Sequence, residues 1–330
     1  MDSKTYFKIR TQLDFKKKMP WTALFTDLFL TVSSSLSTVA FEKSLIASVF
    51  SISCLSILFF RSFGMMHEAV HGALHSRRGV NEVLGYIYGT LCFLPFQLWQ
   101  KLHLDHHRWS GNFDKDPVMG VVRRYHDNPS LGFTESVLSF LWRAWVPVLA
   151  TLQMIAFWKE SFRLFKKEDR LKNGLALLPV LFWCALLTLA PLHFTAFVFA
   201  PALVIYLMLV EAINFPHHLS MEKAWGDQSF PLPEQYRTAR TCHYPKWFTH
   251  FVLLNFNFHV EHHLFPNLPY RELPKAASLL ENALESDYQS CSGFEWVRKN
   301  RQKPLRSVLL DESLTPGEIM PIPSASGMDS

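Results

Sequence analysis

The chain has 330 residues, of which 49% are hydrophobic, 18% are charged and 29 are phenylalanine. Soluble domains carry roughly 25% charged residues, and the mean hydropathy of +0.07 is high for a soluble enzyme, so the composition describes a membrane protein with substantial parts outside the bilayer. The net charge of +5 is modest and the bases sit beside apolar runs, which fits orientation in a bilayer and excludes a nucleic-acid partner.

Residues 1–20 form a basic segment with Lys4, Lys8, Arg10, Lys16, Lys17 and Lys18. It does not read as a secretory signal, because the next apolar run is too long and no small-residue cleavage site closes it. Residues 22–41 and 44–60 are apolar and nearly uncharged, each about long enough to cross ~30 Å of hydrocarbon at 1.5 Å per residue. Only Glu42 and Lys43 link them, which predicts a tight hairpin. Bases at Lys16–Lys18, Arg61, Arg77 and Arg78 place both outer ends in the cytoplasm. Residues 84–99 are shorter, contain Gly85, Gly89 and Pro95, and are expected to be interfacial or re-entrant.

Residues 136–158 are apolar but are interrupted by Arg143 and Pro147 and punctuated by Trp142, Trp145 and Trp158. A crossing there would export the basic run Lys159–Lys172, so the segment is expected to lie in the interface. Residues 174–192 and 194–213 form a second hairpin whose turn is uncharged. Residues 271–287 are expected to be helical, with Pro274 in the first turn. From about Lys303 the chain is rich in Pro, Ser and Gly, which predicts disorder over the 301–330 tail. The reading is an all-α integral membrane protein. Four transmembrane helices in two hairpins carry a helical cytosolic cap within one domain, about 21–300, and both termini are cytoplasmic.

The histidines carry the chemistry. His259, His262 and His263 lie at i, i+3 and i+4, positions that share one helix face, so three imidazoles are expected to point at one spot. His103, His106 and His107 repeat the spacing. His67 and His71 sit one turn apart, and His218 follows the last apolar run. Nine of the 15 histidines therefore converge, too many for one metal ion and suited to two. The five cysteines (Cys54, Cys92, Cys184, Cys242, Cys291) show no CxxC spacing and read as small buried hydrophobes, not a disulfide framework.

His259-Val-Glu-His-His-Leu-Phe-Pro, followed by Pro269, Leu273 and Pro274, resembles the third histidine box of the membrane fatty acid desaturase and hydroxylase family. His103-Leu-Asp-His-His with Asp114-Lys-Asp-Pro117 resembles its second box, and His67-Glu-Ala-Val-His71 the short form of its first. The resemblance covers roughly residues 40–280. It implies a non-haem di-iron centre on the cytosolic side, with O2 as co-substrate and His67, His71, His103, His106, His107, His218, His259, His262 and His263 as ligands. Asn214, four residues before His218, matches a position that holds a metal-bound water in acyl-CoA desaturases of that family. The implied activity is desaturation of a lipid or acyl-thioester chain, with electrons from ferredoxin or from a cytochrome b5-type protein and its reductase.

The alternative on the same scaffold is a hydroxylase or ketolase of a carotenoid, sphingolipid or alkane. A non-enzymatic metal or lipid sensor fits less well, because a binding module would not need two irons. His67-Glu-Ala-Val-His71 also matches the HExxH of zinc proteases, but that reading leaves seven clustered histidines unexplained. There is no His-Pro-Gly-Gly segment, and His259 stands where the cytochrome b5-fused members have Gln. His217 is expected beside the site, His75 at the surface, and His126, His193, His243 and His250 in ordinary loops. Asp105, Asp114, Asp116 and Glu261 are candidates for orienting the imidazoles.

Overall fold

The computed structural model describes residues 1–40, 44–129, 131–165 and 174–310. The expected Glu42-Lys43 turn, the 166–172 part of the basic run and the end of the tail, 311–330, lie outside the described residues.

Among the described residues the architecture is helical, with one two-stranded sheet. Helix α1 (Ser3–Arg10) precedes α2 (Trp21–Ala40) and α3 (Leu45–Val70). These last two pack as a hairpin stitched by hydroxyls. Ser37 Oγ donates to the Ala47 carbonyl at 3.2 Å, Ser51 Oγ donates to the Ser34 carbonyl at 3.3 Å, and the Thr38 and Ser51 hydroxyls meet at 3.2 Å. Such small polar contacts let helices approach closely where apolar surface gives no driving force.

By length and apolarity, two helices among the described residues can cross a membrane, α3 and the 26-residue run Leu192–His217. A bent pair, α7 (Phe133–Arg143) and α8 (Val148–Phe165), makes a third if it acts as one span. Helix α2 is long enough, at about 30 Å, but its four serines and four threonines dilute its apolar character. The 174–192 segment yields only a 12-residue apolar helix, α9 (Leu178–Leu189), before Pro191 breaks it. The run Leu192–His217 (α10) contains a π-helical stretch, Thr195–Phe199, and ends in a 3-10 turn at Phe215–His217.

One topogenic base needs correction. Arg61 is buried and paired with Asp27 of α2, while Tyr88 donates to the other Asp27 oxygen at 2.8 Å. Its charge is therefore met inside the protein and does not mark a flank. Residues 84–99 are divided between α4 (Arg78–Leu91) and α5 (Phe96–Arg108), with a turn between them. The turn between them is close-packed, since a Cβ on Gly85 would sit 2.2 Å from the Phe96 ring. Three other helices satisfy the free carbonyls at the turn. Trp183 Nε1 donates to Thr90 at 2.7 Å, the Tyr206 hydroxyl to Cys92 at 3.2 Å, and Trp158 Nε1 to Phe93 at 3.1 Å.

The 136–158 segment is two helices, and the chain turns by 117° between α7 and α8. Pro147 cannot continue α7, and Trp145 takes a φ of 63°. Arg301 pins the corner. It pairs with buried Glu211 of α10, donates to the Trp142 carbonyl at 2.7 Å, and lies 3.9 Å over the Trp142 ring. After the short α6 (Gly120–Asp127), the loops bring in β1 (Thr241–His243) and α11 (His259–Leu264). Helix α12 (Leu273–Leu284) follows, with Pro274 in its first turn as expected, then β2 (Ser290–Ser292) and α13 (Gly293–Asn300). The expected disorder beyond Lys303 is corrected for its first residues. Helix α14 (Leu305–Leu309) buries Leu305, Val308 and Leu309 in a satellite core with Trp142 and Met119.

Candidate metal centre

Local chain features aim each histidine inward. The last turn of α3 carries His67 and ends at His71, whose backbone is its C-cap. The C-terminal half of α5 carries His103, His106 and His107. α10 stops at a turn containing Pro216 and delivers His218. α11 is entered through Leu254 and Asn255, both at positive φ, with Asn255 Nδ2 donating to the Tyr270 carbonyl at 2.9 Å.

All nine expected histidines come together, in two groups, in each of which one ring nitrogen per residue lies within 4.8 Å of the others. His67, His71, His103, His107 and His262 form one group; His106, His218, His259 and His263 form the other. The expectation that each triad points at one spot is corrected. In α5 the i and i+4 residues serve the first group and i+3 serves the second. In α11 the i and i+4 residues serve the second and His262 the first. The reason is helical geometry, since i+3 and i+4 stand about 100° apart around the axis and straddle the line between two sites.

The contacts fix which nitrogens face inward. In the first group Nε2 atoms approach in series: His71 to His103 at 2.9 Å, His103 to His107 at 3.1 Å, and His107 to His262 at 2.9 Å. In the second, His218 Nδ1–H donates to the Thr238 carbonyl at 2.9 Å, which leaves the Nε2 lone pair inward, 2.8 Å from His259 Nε2. Asp116, fully buried, holds His106 Nδ1 at 2.8 Å and is itself fixed by the backbone N–H groups of Gly111 at 3.1 Å and Val118 at 2.9 Å. His263 Nδ1–H donates to Gln235 Oε1 at 3.3 Å. Among the buried atoms left without a partner are His67 Nε2 and His263 Nε2. Buried nitrogens in this state are costly unless something binds them. Burial also holds His103, His107, His218, His259, His262 and His263 well below the ordinary imidazole range, so these rings are neutral, the form that ligates. The donor set therefore fits two first-row metal ions.

The remaining predicted residues fall outside the two groups. Asn214 lines the adjoining cleft one turn before His218. His217 is buried and stacks on His259 at 4.2 Å. His75 Nδ1 accepts from the Arg77 backbone at 3.0 Å, a turn contact. Of the four acidic candidates, Asp116 orients a boxed imidazole directly. Asp114 accepts from Gly226 N at 2.7 Å instead. Glu261 accepts from Thr241 at 2.6 Å and Tyr288 at 2.5 Å. Asp105 supplies only its carbonyl, to Trp109 N at 2.9 Å, among the contacts described. Sequence reasoning missed Gln235, which also donates to the His107 carbonyl at 2.9 Å and so touches both groups. It also missed Trp99, whose ring stacks on His103 at 4.5 Å. Nothing in the spacing marks either residue.

The chain matches the model of the fatty acid desaturase family over residues 44–294. The chain belongs to the fatty acid desaturase family. This desaturase is an oxidoreductase associated with membranes. It is similar to the sn-1 oleoyl-lipid 12-desaturase of Picosynechococcus sp., with 26% identity over 72% of this chain and 70% of the relative. It is also similar to the sn-1 acyl-lipid omega-3 desaturase (ferredoxin) of Synechocystis sp., with 25% identity over 70% of this chain and 67% of the relative. A beta-carotene 4-ketolase from Protosiphon botryoides is 23% identical over 68% of this desaturase and 50% of the ketolase.

Proposed function

We propose that this desaturase introduces a double bond into the acyl chain of a membrane lipid, with the nine boxed histidines as ligands of two irons. The observation that carries the reading is a cleft walled by apolar side chains including Phe63, Leu94, Met119 and Leu207. Histidines of both groups reach it, namely His67, His103, His106, His218 and His259. Irons bound there would supply the power to use O2 to take hydrogen from an unactivated CH2, which no side chain can do alone. The protein's part is to hold the alkyl chain against that face and keep water away. The apolar walls do both, and the stripe Tyr206, Val210 and Asn214 runs along α10 for about 12 Å beside the cleft and leads to His218. Asn214 offers the wall a polar amide one turn from His218, suited to orient a bound water.

The topology that goes with this reading has four spans, α2, α3, the α9 region and α10, with both termini and the cap on the cytoplasmic side. An external one-electron donor serves the site; a relative named for ferredoxin supports that class, and a cytochrome b5-type protein is the alternative donor.

The test is a lipid comparison. The protein and its His262→Ala variant are expressed in a host lacking desaturases, supplied with iron and O2, and fatty acids and polar lipids are profiled by mass spectrometry. Products lighter by two hydrogens are expected with the intact protein alone. The similarity to a ketolase favours one second reading, oxygenation of a carotenoid. Products heavier by oxygen, with no desaturated lipid, would select it and overturn the first.

A further inference from the structure

We propose that Cys242 and Cys291 form a reversible dithiol–disulfide pair that clasps the C-terminal segment to the third histidine segment. The two residues are direct partners in the parallel β1–β2 pairing, Cys242 opposite Cys291. Neighbouring strands lie about 4.8 Å apart, which falls within the ~4.4–6.8 Å Cα separation that a disulfide accepts. Paired residues in parallel register send their side chains to the same face, and here the two sulfurs are 3.9 Å apart. Rotation about the side-chain bonds and a small strand shift complete the approach.

The pair divides the labour of a redox site. Cys291 is half-buried and Cys242 fully buried, so an oxidant meets Cys291 first. The hydrogen bond from the Cys242 thiol, with Arg240 as a further influence, holds the Cys291 thiol below the ordinary thiol range. Thiolate character and access together select a reactive cysteine. The oxidant class is a hydroperoxide. The Cys291 thiolate attacks the O–O bond and becomes a sulfenic acid, and the departing alkoxide takes up the thiol proton as an alcohol. The Cys242 thiol then attacks that sulfur, forming the S–S bond and releasing water. Two thiols and one hydroperoxide give one disulfide, one alcohol and one water; a dithiol reductant reverses the change. In a reducing compartment the pair rests as two thiols.

The clasp sits where it can be felt. The Cys242 N–H donates to the Asn257 carbonyl at 3.0 Å, and Asn257 Nδ2 returns a bond to the Cys242 carbonyl at 2.8 Å. The adjacent Thr241 hydroxyl accepts from His259 N at 3.2 Å and donates to Glu261. On the other strand, Ser292 caps α13, the helix that leads to Arg301.

The experiment uses the full chain in detergent. It is treated with hydrogen peroxide, alkylated and digested without reduction for peptide mass spectrometry. A crosslinked peptide joining Cys242 to Cys291 is expected, with two fewer alkylated thiols per chain, both reversed by dithiothreitol. Cys291→Ser and Cys242→Ser should each abolish the link. If either variant fails to fold, the thiol count of the unmodified chain before and after peroxide decides alone. Both thiols still alkylated after oxidation, or Cys291 joined to another cysteine, overturns the proposal. None of these readouts depends on desaturation, so the clasp and the catalytic reading stand or fall separately.

Discussion

The two histidine groups differ in what stands behind them. In the four-histidine group, three imidazoles are held from outside by Asp116, the Thr238 carbonyl and Gln235. In the five-histidine group the described polar contacts run chiefly from one ring to the next, and His67 has neither ring nitrogen hydrogen-bonded. Its orientation comes from packing, with the Phe256 ring 5.0 Å from His67 and the Trp99 ring stacked on His103. One group is set by hydrogen bonds and the other by aromatic walls and its own mutual contacts. Oriented hydrogen bonds fix an imidazole's tautomer as well as its position, whereas packing fixes position alone.

The largest effect should come from the packed group. His262→Ala removes a nitrogen that its neighbours cannot replace. Turnover should fall more than about 100-fold, beyond the loss seen for outer partners, while the protein still accumulates in membranes. Full activity would remove the group from the reaction. Asp116→Ala is next. Iron affinity should drop by about 10–100-fold, read as iron per chain in an iron titration followed by elemental analysis. A fall to one iron, not none, would show that the hydrogen-bonded group titrates on its own. Gln235→Leu should cost about 10-fold, the low end of that range, and should weaken both irons because Gln235 touches both groups. Loss confined to one iron would reduce Gln235 to a partner of His263. Glu68→Gln should be the mildest. The Glu68 carboxylate accepts from the Tyr270 backbone at 2.9 Å and lies 3.8 Å from His67. A Gln oxygen can still accept that bond, so activity should stay within about 10-fold, the scale of one hydrogen bond. Complete loss would return the general-base role that HExxH suggests.

Much of the site was legible because ligand chemistry leaves spacing behind. Eight of the nine histidines announce themselves by i+3 and i+4 intervals, His218 by its place after the last apolar run, and the long apolar runs by length. Their division into two groups was not legible, because a 100° separation on a helix wheel decides nothing until the facing helices are placed. Asp27 and Arg61 show the same limit from the other side. Read along the chain, Arg61 is a flanking base; in space it is one half of a buried pair. Arg143 and Pro147 marked an interruption without giving its 117° angle, and Arg301, which holds that corner, arrives from the far end of the sequence. Cys242 and Cys291 read as inert because nothing local predicts that three-residue strands so far apart will pair.

The Tyr6 hydroxyl donates to the Leu264 carbonyl at 3.1 Å across a separation of 258 residues, and its ring stacks on Phe265 at 5.2 Å. That contact sets an order of events during synthesis. At about 5–20 residues per second, the basic N-terminal segment waits roughly 10–50 s for the third box to emerge. Throughout that interval Tyr6 has no seat, while α2 and α3 can already form their hairpin. Closing the N-terminal segment over Leu264 and Phe265 is therefore a late step of folding, and it falls after the last of the nine histidines has been made.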